Sequence, residues 1–507
     1  MPDKELSLEE IQSFKGKYPK QIWPLFFSEM WERFCFYGMR GMLTFFMINE
    51  LFFDATKANL QYGATQAWVY AFTFIGGMFA DKILGFRRSL FWGGLLMITG
   101  SILLAIDPHQ FFFLGISFNI IGTGFFKPNI STMVGMLYKD GDYRRDAGFS
   151  LFYSGINIGA LLGGYICIAI GKGTLAANIV PSHLRWNFAF GFAAVVMTIS
   201  LLTFLKTRKS LGPIGLSPFT ETEEKTGIKK WYKVFVFIGS LAVIPVIMKM
   251  VANTEYTDWF MYCIGPFSLI FLFYEMTRLK REQVHKLFAA LLFIIFSVLF
   301  WAIFEQAGGS LNIFAANNVS SKLLGVITLD PNGVNNSANS LFVIIFAPIL
   351  GIIWIAMAKK KIEPNTIIKF GIAFIFLGLA FYVLFSMRFF SNAQGVSSLD
   401  IFTLSYFVVT LGELCLSPIG LSIMTKLSPA KLQGFMMGMW FLASAYGQYV
   451  AGIFGAGIAA DLEHANNYEK LLGYTSGYKQ FGLYAIIAGV IILAISPLMK
   501  KLMHGVK

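Results

Sequence analysis

Charge is scarce in this chain: only 14% of its 507 residues are Asp, Glu, Lys or Arg, against about 25% in an ordinary soluble protein. That shortage argues against a water-soluble globule. Cysteine is scarce as well. Cys35, Cys167, Cys263 and Cys415 lie far apart in apolar stretches, so no disulfide framework or metal spacing is expected, and they read as small packing residues. The five histidines (His109, His183, His285, His464 and His504) fall in polar connections or at the ends of apolar blocks. If a proton crosses this protein, carboxylates must carry it. Residues Met1 to Lys20 lack an apolar core followed by a small-residue cleavage site, so no signal peptide is expected. There is no nucleophile–base pair, metal-ligand cluster or phosphate loop either. Neither an enzyme nor a cofactor or metal site is expected.

What the chain has is apolar residues, 56% of the total, with 54 Phe. They fall in blocks of roughly 20 residues, long enough to cross a hydrocarbon layer of about 30 Å. Fourteen blocks are expected, at 21–50, 61–80, 89–106, 110–138, 147–171, 184–205, 231–252, 258–277, 285–313, 339–358, 366–387, 400–426, 433–458 and 478–499. The formal charge of +13 could suggest nucleic acid, but the Lys and Arg residues sit in short runs between the blocks. Alternate connections carry Lys15/Lys17/Lys20, Lys82/Arg87/Arg88, Lys139/Arg144/Arg145, Lys206/Arg208/Lys209, Arg278/Lys280/Arg281, Lys359/Lys360/Lys361, Lys426/Lys431 and Lys500/Lys501. By the positive-inside rule this predicts a multi-pass cell-membrane protein, embedded in lipid, with both termini cytoplasmic and no nucleic-acid partner. A polar stretch at 206–230 and the pair of blocks after it give a 6 + 2 + 6 pattern: a bundle at 1–206, a linker with an inserted pair at 207–282, and a second bundle at 283–507. Paired bundles are a recurring transporter architecture.

Ionisable groups well inside a block cost roughly 2.5–3.5 kcal/mol each to insert and mark function by default. They are Glu29, Glu32, Arg33, Arg40, Lys127, Glu305 and Glu413. At 100° per residue, Glu29, Glu32, Arg33, Tyr37 and Arg40 fall within roughly 140° of one another. Such a face must line a polar path or pair with other helices. The first bundle holds three of these cations and two Glu, whereas the second holds Glu305 and Glu413 alone. The expected ligand is a zwitterion, with its carboxylate toward Arg33 and Lys127 and its ammonium toward Glu413.

Two motifs carry a resemblance. Gly77 to Arg88 resembles the loop motif G-x-x-x-D-x-x-x-G-x-R-[RK] of the major facilitator superfamily, with Asp81 placed to hold a neighbouring helix end. Glu29-Met30-Trp31-Glu32-Arg33-Phe34-Cys35-Phe36-Tyr37-Gly38 resembles E-x-x-E-R-F-x-Y-Y-G of the proton-dependent oligopeptide transporter family (POT/PTR), with Phe36 in place of the first Tyr. Further matches are Gly122 to Pro128, Phe152 to Gly159, Phe300 to Gln306, Gly412 to Pro418 and Trp440-Phe441, in order along the whole chain.

The resemblance implies an all-α membrane protein of the major facilitator fold, two six-helix bundles plus two inserted helices, importing di- and tripeptides with protons by alternating access. By position, Arg33, Tyr37, Lys127, Tyr153 and Asn157 would meet the peptide from the first bundle, and Tyr70 matches a binding-site Tyr. Glu413 would bind the peptide amino terminus, with Ser417 nearby and Trp301 and Trp440 as pocket walls. Asn339, at the start of its block, matches a backbone-binding Asn, although the family's Asn-Pro reads Asn339-Ser340 here. Glu29, Glu32, Arg40, Lys127 and Glu305 would couple and gate, with protonation of Glu305 releasing Arg40. Animal members carry a His where this chain reads Tyr62-Gly63, so a scheme that needs that His cannot apply. A rival reading is proton-coupled transport of another small solute; Glu413 argues against a purely anionic one.

Overall fold

The computed structural model describes residues 6–139, 141–219, 228–416 and 420–506, and the chain is helical nearly throughout. A short helix α1 (Leu8–Gln12) precedes α2 (Ile22–Asn49), α3 (Ala55–Phe79), α4 (Phe86–Ile106), α5 (Phe112–Met136), α6 (Arg144–Lys172) and α7 (Arg185–Thr207). The inserted pair is α8 (Ile228–Ala252) and α9 (Thr254–Met276). Then come α10 (Arg281–Phe304), α11 (Ser310–Asn318), α12 (Pro331–Lys359), α13 (Thr366–Ser386), α14 (Leu399–Leu416), α15 (Gly420–Leu427), α16 (Gln433–Ala459) and α17 (Asn467–Leu502). Part of the expected linker, 220–227, lies outside the described residues, as do Ser417 and Pro418.

Among the described residues eleven helical segments are long and apolar enough to cross a membrane. Helices α2, α5 and α16 match them in length, at 28, 25 and 27 residues, but are more polar. Two of these three carry five of the seven intramembrane charges: Glu29, Glu32, Arg33 and Arg40 on α2, and Lys127 on α5.

Three expected blocks differ most from the helices observed. The block at 285–313 is interrupted, because α10 stops at Phe304, a 3₁₀ turn spans Glu305–Gly308 and α11 restarts after Gly309. The helix expected from 339 begins at Pro331, where the Asp330 side chain accepts from the Gly333 N–H. The last helix begins at Asn467 behind a capping box of Asn466 and Glu469. In the last two cases polar caps extend a helix beyond its apolar run.

The chain forms two compact units that cut across the sequence boundaries: Met1–Met42 with Trp68–Ala252, and Leu43–Ala67 with Asn253–Lys507. In the first unit, small residues let helix backbones meet, as is common in membrane helices. Added Cβ atoms on Gly155, Gly159 and Gly163 of α6 would collide with Phe26, the Met30 carbonyl and the Phe34 carbonyl of α2. One at Gly124 of α5 would stand 2.6 Å from the Phe72 carbonyl of α3. Helix α8 belongs here, and Trp92 Nε1 of α4 donates to Ser240 Oγ at 2.9 Å. At the lysine-rich end, Arg87 donates to the Gly212 and Ile214 carbonyls of the segment after α7. Asp81 is exposed, so Arg87 does the holding expected of Asp81.

In the second unit α10 to α17 pack around an aromatic core that includes Phe293, Phe300, Phe370 and Phe374, and Phe314 with Tyr474 and Tyr478. Helix α9 belongs to this unit. Tyr449 donates to Asp258 at 2.6 Å, and Lys431 pairs with Glu275 at 2.9 Å. The hairpin Leu43–Ala67 packs here too: Thr44 donates to the Gly308 carbonyl, and a Cβ on Gly63 would lie 2.8 Å from Gly452 Cα.

Candidate functional site

In the first unit the site is built on α2. The four-residue step from Glu29 to Arg33 stacks the two side chains on one face, and the α6 glycines press that helix close enough to bury them. Glu29, Glu32 and Arg33 are each at most 1% exposed. Both carboxylates converge on a single nitrogen: Arg33 Nε lies 3.2 Å from Glu29 Oε1 and donates to Glu32 Oε2. Glu29 Oε2, Glu32 Oε1 and Arg33 Nη2 find no hydrogen-bond partner among the described residues. Buried polar atoms are nearly always paired, so three orphans in one cluster mark a place where a proton, water or ligand atom belongs.

Lys127 stands beside this cluster, on α5 immediately before Pro128, and its charge acts on both carboxylates. Its Nζ lies 4.6 Å from the centre of the Tyr70 ring and 5.9 Å from that of Phe36. The Arg33 guanidinium lies 5.1 Å from the same Phe36 ring. The ring that replaces the family's tyrosine therefore lies within cation–π reach of both cations. One turn on, Arg40 lies 5.7 Å from the Tyr37 ring. On α6, Asn157 is buried and donates to the Tyr153 carbonyl at 2.9 Å.

In the second unit Asn339 is not at a helix start. It lies about two turns inside α12, on a face with Asn332, Asn335 and Asn336. Asn335 donates to the Ala307 carbonyl and accepts from the Tyr406 hydroxyl, each at 2.6 Å. Asn339 Nδ2 donates to Glu413 Oε2 at 2.7 Å and to Thr410 Oγ1 at 3.0 Å. The Asn339 assignment, weakened by the missing proline, thus gains a direct contact with Glu413. Glu413 is 9% exposed.

Trp301 and Trp440 are both in this unit. Trp301 Nε1 finds no partner among the described residues, and Trp440 is buried. Glu305 is 3% exposed, at the point where α10 breaks. Ser417 lies outside the described residues. Each unit thus gathers its own expected groups: Glu29, Glu32, Arg33, Lys127 and Tyr70 in the first, Asn339 and Glu413 in the second.

Sequence reasoning missed two residues that contact the expected site groups. Phe36 was noted only as a departure from a motif, yet its position three residues after Arg33 puts the ring over that guanidinium. Thr410, three residues before Glu413 on α14, fixes Asn339 from the other side. Helical spacing was the available signal in both cases.

The model of the POT family matches residues 87–470. "Peptide transporter YePEPT" of Yersinia enterocolitica is 34% identical over 471 residues, covering 88% of this chain and 89% of that protein. "Uncharacterized transporter YclF" of Bacillus subtilis is 34% identical over 499 residues, covering 96% of each. A crystal structure of a mutant of peptide transporter POT in complex with alafosfalin superposes with a TM-score of 0.80 at 33% identity, over 99% of this chain and 100% of that one.

Proposed function

The chain belongs to the POT family, and from that premise we propose that it is a proton-coupled symporter that imports di- and tripeptides. The observation that carries the reading is the buried cluster in which two carboxylates share Arg33 Nε while Lys127 stands by. With both Glu ionised, Arg33 and Lys127 balance them. A peptide carboxylate that draws on Lys127 leaves one carboxylate in excess, and a buried carboxylate without its cation takes up a proton. Peptide and proton binding then favour each other, as symport requires.

Tyr37, Tyr70, Tyr153 and Asn157 line the peptide path in the first unit. In the second, Glu413 binds the peptide ammonium and Asn339 holds the carboxylate in position, with Trp301 and Trp440 as walls. The buried Glu413 disfavours a purely anionic solute. Because recognition rests on the peptide's terminal charges, side-chain specificity is broad. Arg40 in the first unit and Glu305 in the second take the gating roles. The protein crosses the cell membrane fourteen times, with both termini and the lysine-rich connections in the cytoplasm. An inward membrane potential adds about 2.3 kcal/mol per proton charge per 100 mV.

Uptake of labelled di-alanine and tri-alanine into proteoliposomes tests this. An inward proton gradient should drive accumulation above equilibrium, and unlabelled dipeptides should compete where nitrate and single amino acids do not. Uptake indifferent to the gradient, or competition by nitrate, would sink the proposal.

A further inference from the structure

Where α12 runs out of apolar residues, the second unit carries a cavity of about 930 Å³ that the peptide reading does not use. It lies between the α12–α13 turn and the end of α17, with Lys361, Lys369, Lys500 and Glu363 on its wall. Glu363 is paired with Lys369, whose ammonium also lies 4.6 Å from the centre of the Trp354 ring. Among the described residues Lys361 and Lys500 have no ion-pair partner, so the cavity keeps two uncompensated cations. Lys361 sits at φ 59°, a left-handed position at a helix end that glycine fills at least cost. The tail that closes one side is tied down: His504 Nε2 lies 3.0 Å from His285 Nδ1 of α10, and Gly505 and Val506 complete the wall.

The apolar surroundings identify the kind of anion. Ile352 and Ile355, on the outer face of α12, are 68% and 60% exposed, and Ile362 at the cavity mouth is 61% exposed. On a membrane-spanning helix such a stripe faces acyl chains. Trp354 lies five residues before the end of α12, where tryptophans of membrane-spanning helices commonly meet headgroups, and basic pockets between helix ends suit anionic headgroups. A free phosphate would use the lysines and leave the isoleucine stripe unused, whereas a phospholipid uses both.

We propose that this cavity binds the phosphate headgroup of an anionic phospholipid from the leaflet on the lysine-rich side, with its acyl chains along Ile352 and Ile355. The inference is independent of the transported solute.

Native mass spectrometry of the full-length protein in neutral detergent tests it, with phosphatidylglycerol and phosphatidylcholine as probes. Phosphatidylglycerol should bind more tightly than phosphatidylcholine, and the double variant Lys361→Gln/Lys500→Gln should weaken it about tenfold or more, given the size of a lysine's attraction to an anionic headgroup. A triple variant, Lys359→Gln/Lys360→Gln/Lys501→Gln, removes more charge from the same end without touching the cavity wall, and should change binding by about twofold at most. Equal losses from the two variants would reduce the effect to surface charge and overturn the site. Displacement of the lipid by millimolar inorganic phosphate would assign the cavity to free phosphate instead, and equal binding of phosphatidylcholine would remove the anion requirement.

Discussion

Asn339 Nδ2 lies 2.7 Å from Glu413 Oε2, so an amide two turns inside α12 holds a buried carboxylate on α14. If that carboxylate takes a peptide ammonium, Glu413→Ala removes the charge that the ligand pairs with. Affinity for dipeptides should fall by about 150- to 5,000-fold, since breaking a buried ion pair costs about 3–5 kcal/mol. Amino-blocked analogues should lose little. Asn339→Ala keeps the charge and loses its orientation, a change of about 1.5–3 kcal/mol for a hydrogen bond to a charged group. Binding assays with free and N-acetylated dipeptides separate these cases, and equal losses for both ligands would exclude the amine role.

Glu305 is buried where α10 breaks into a 3₁₀ turn. If its titration drives the gate, Glu305→Gln should abolish pH-driven accumulation in proteoliposomes and leave counterflow exchange intact. Full pH-driven uptake by this variant would falsify the gating role.

Arg33 serves two carboxylates through one nitrogen. Glu29→Gln or Glu32→Gln alone leaves the guanidinium one anionic partner, and each single variant should fold. The double variant strands Arg33 and leaves Lys127 beside it, so it should lose about 3–5 kcal/mol. Thermal unfolding in detergent should therefore show a double-mutant loss well beyond the sum of the singles. Additive losses would mean that the two carboxylates act independently.

The charged face of α2 was legible in the sequence because a hydrocarbon environment makes each intramembrane charge conspicuous. The asparagine face of α12 was not. An apolar run marks where a helix meets lipid, and Asn332, Asn335 and Asn336 precede that run, so the helix appeared to begin at Asn339. Their partners come from elsewhere in the chain, Asn312 and Ala307 before α12 and Tyr406 on α14, and local pattern cannot supply a partner. The assignment of α8 and α9 to different units escaped for the same reason. Both read as apolar spans, and contacts such as Trp92 with Ser240, and Tyr449 with Asp258, show what each one packs on.

At the lysine-rich end, Arg144 donates to Asp142 and to the carbonyls of Phe14 and Gly16, and its guanidinium lies 3.9 Å from the Phe14 ring centre. Its hydrogen bonds hold the Asp142 carboxyl below the usual range. A carboxyl lowered by folding contributes stability that is complete above its unfolded value, near 3.9, and lost as pH falls through the lower folded value. Docking of residues 6–20 should therefore be unchanged from about pH 8 to about pH 5 and loosen only below about pH 4. Asp142→Asn should loosen it at every pH above about 4, to the level that the natural protein reaches only below that pH. Hydrogen exchange of this segment across pH checks both, and loosening of the natural protein near about pH 6 would assign the segment to another titrating group.

Gly159 decides how closely α6 approaches the charged face of α2, because a Cβ there would stand 2.1 Å from the Met30 carbonyl and 3.0 Å from Arg33 Cβ. Backbone cannot yield to that atom as a flexible side chain could, so Gly159→Ala must push α2 away. The direct cost is overpacking, about 1–3 kcal/mol. The displaced helix also admits water to Glu29, Glu32 and Arg33, whose mutual interaction depends on exclusion of solvent. Gly159→Ala should therefore lower both the unfolding temperature and proton-driven uptake. Gly239→Ala on α8 is the matched control, because its added methyl meets nothing within 4 Å, and it should leave both readouts unchanged or slightly improve stability. If Gly159→Ala destabilised the protein while uptake per folded molecule stayed normal, the close approach would serve packing alone and the charged cluster would not depend on it.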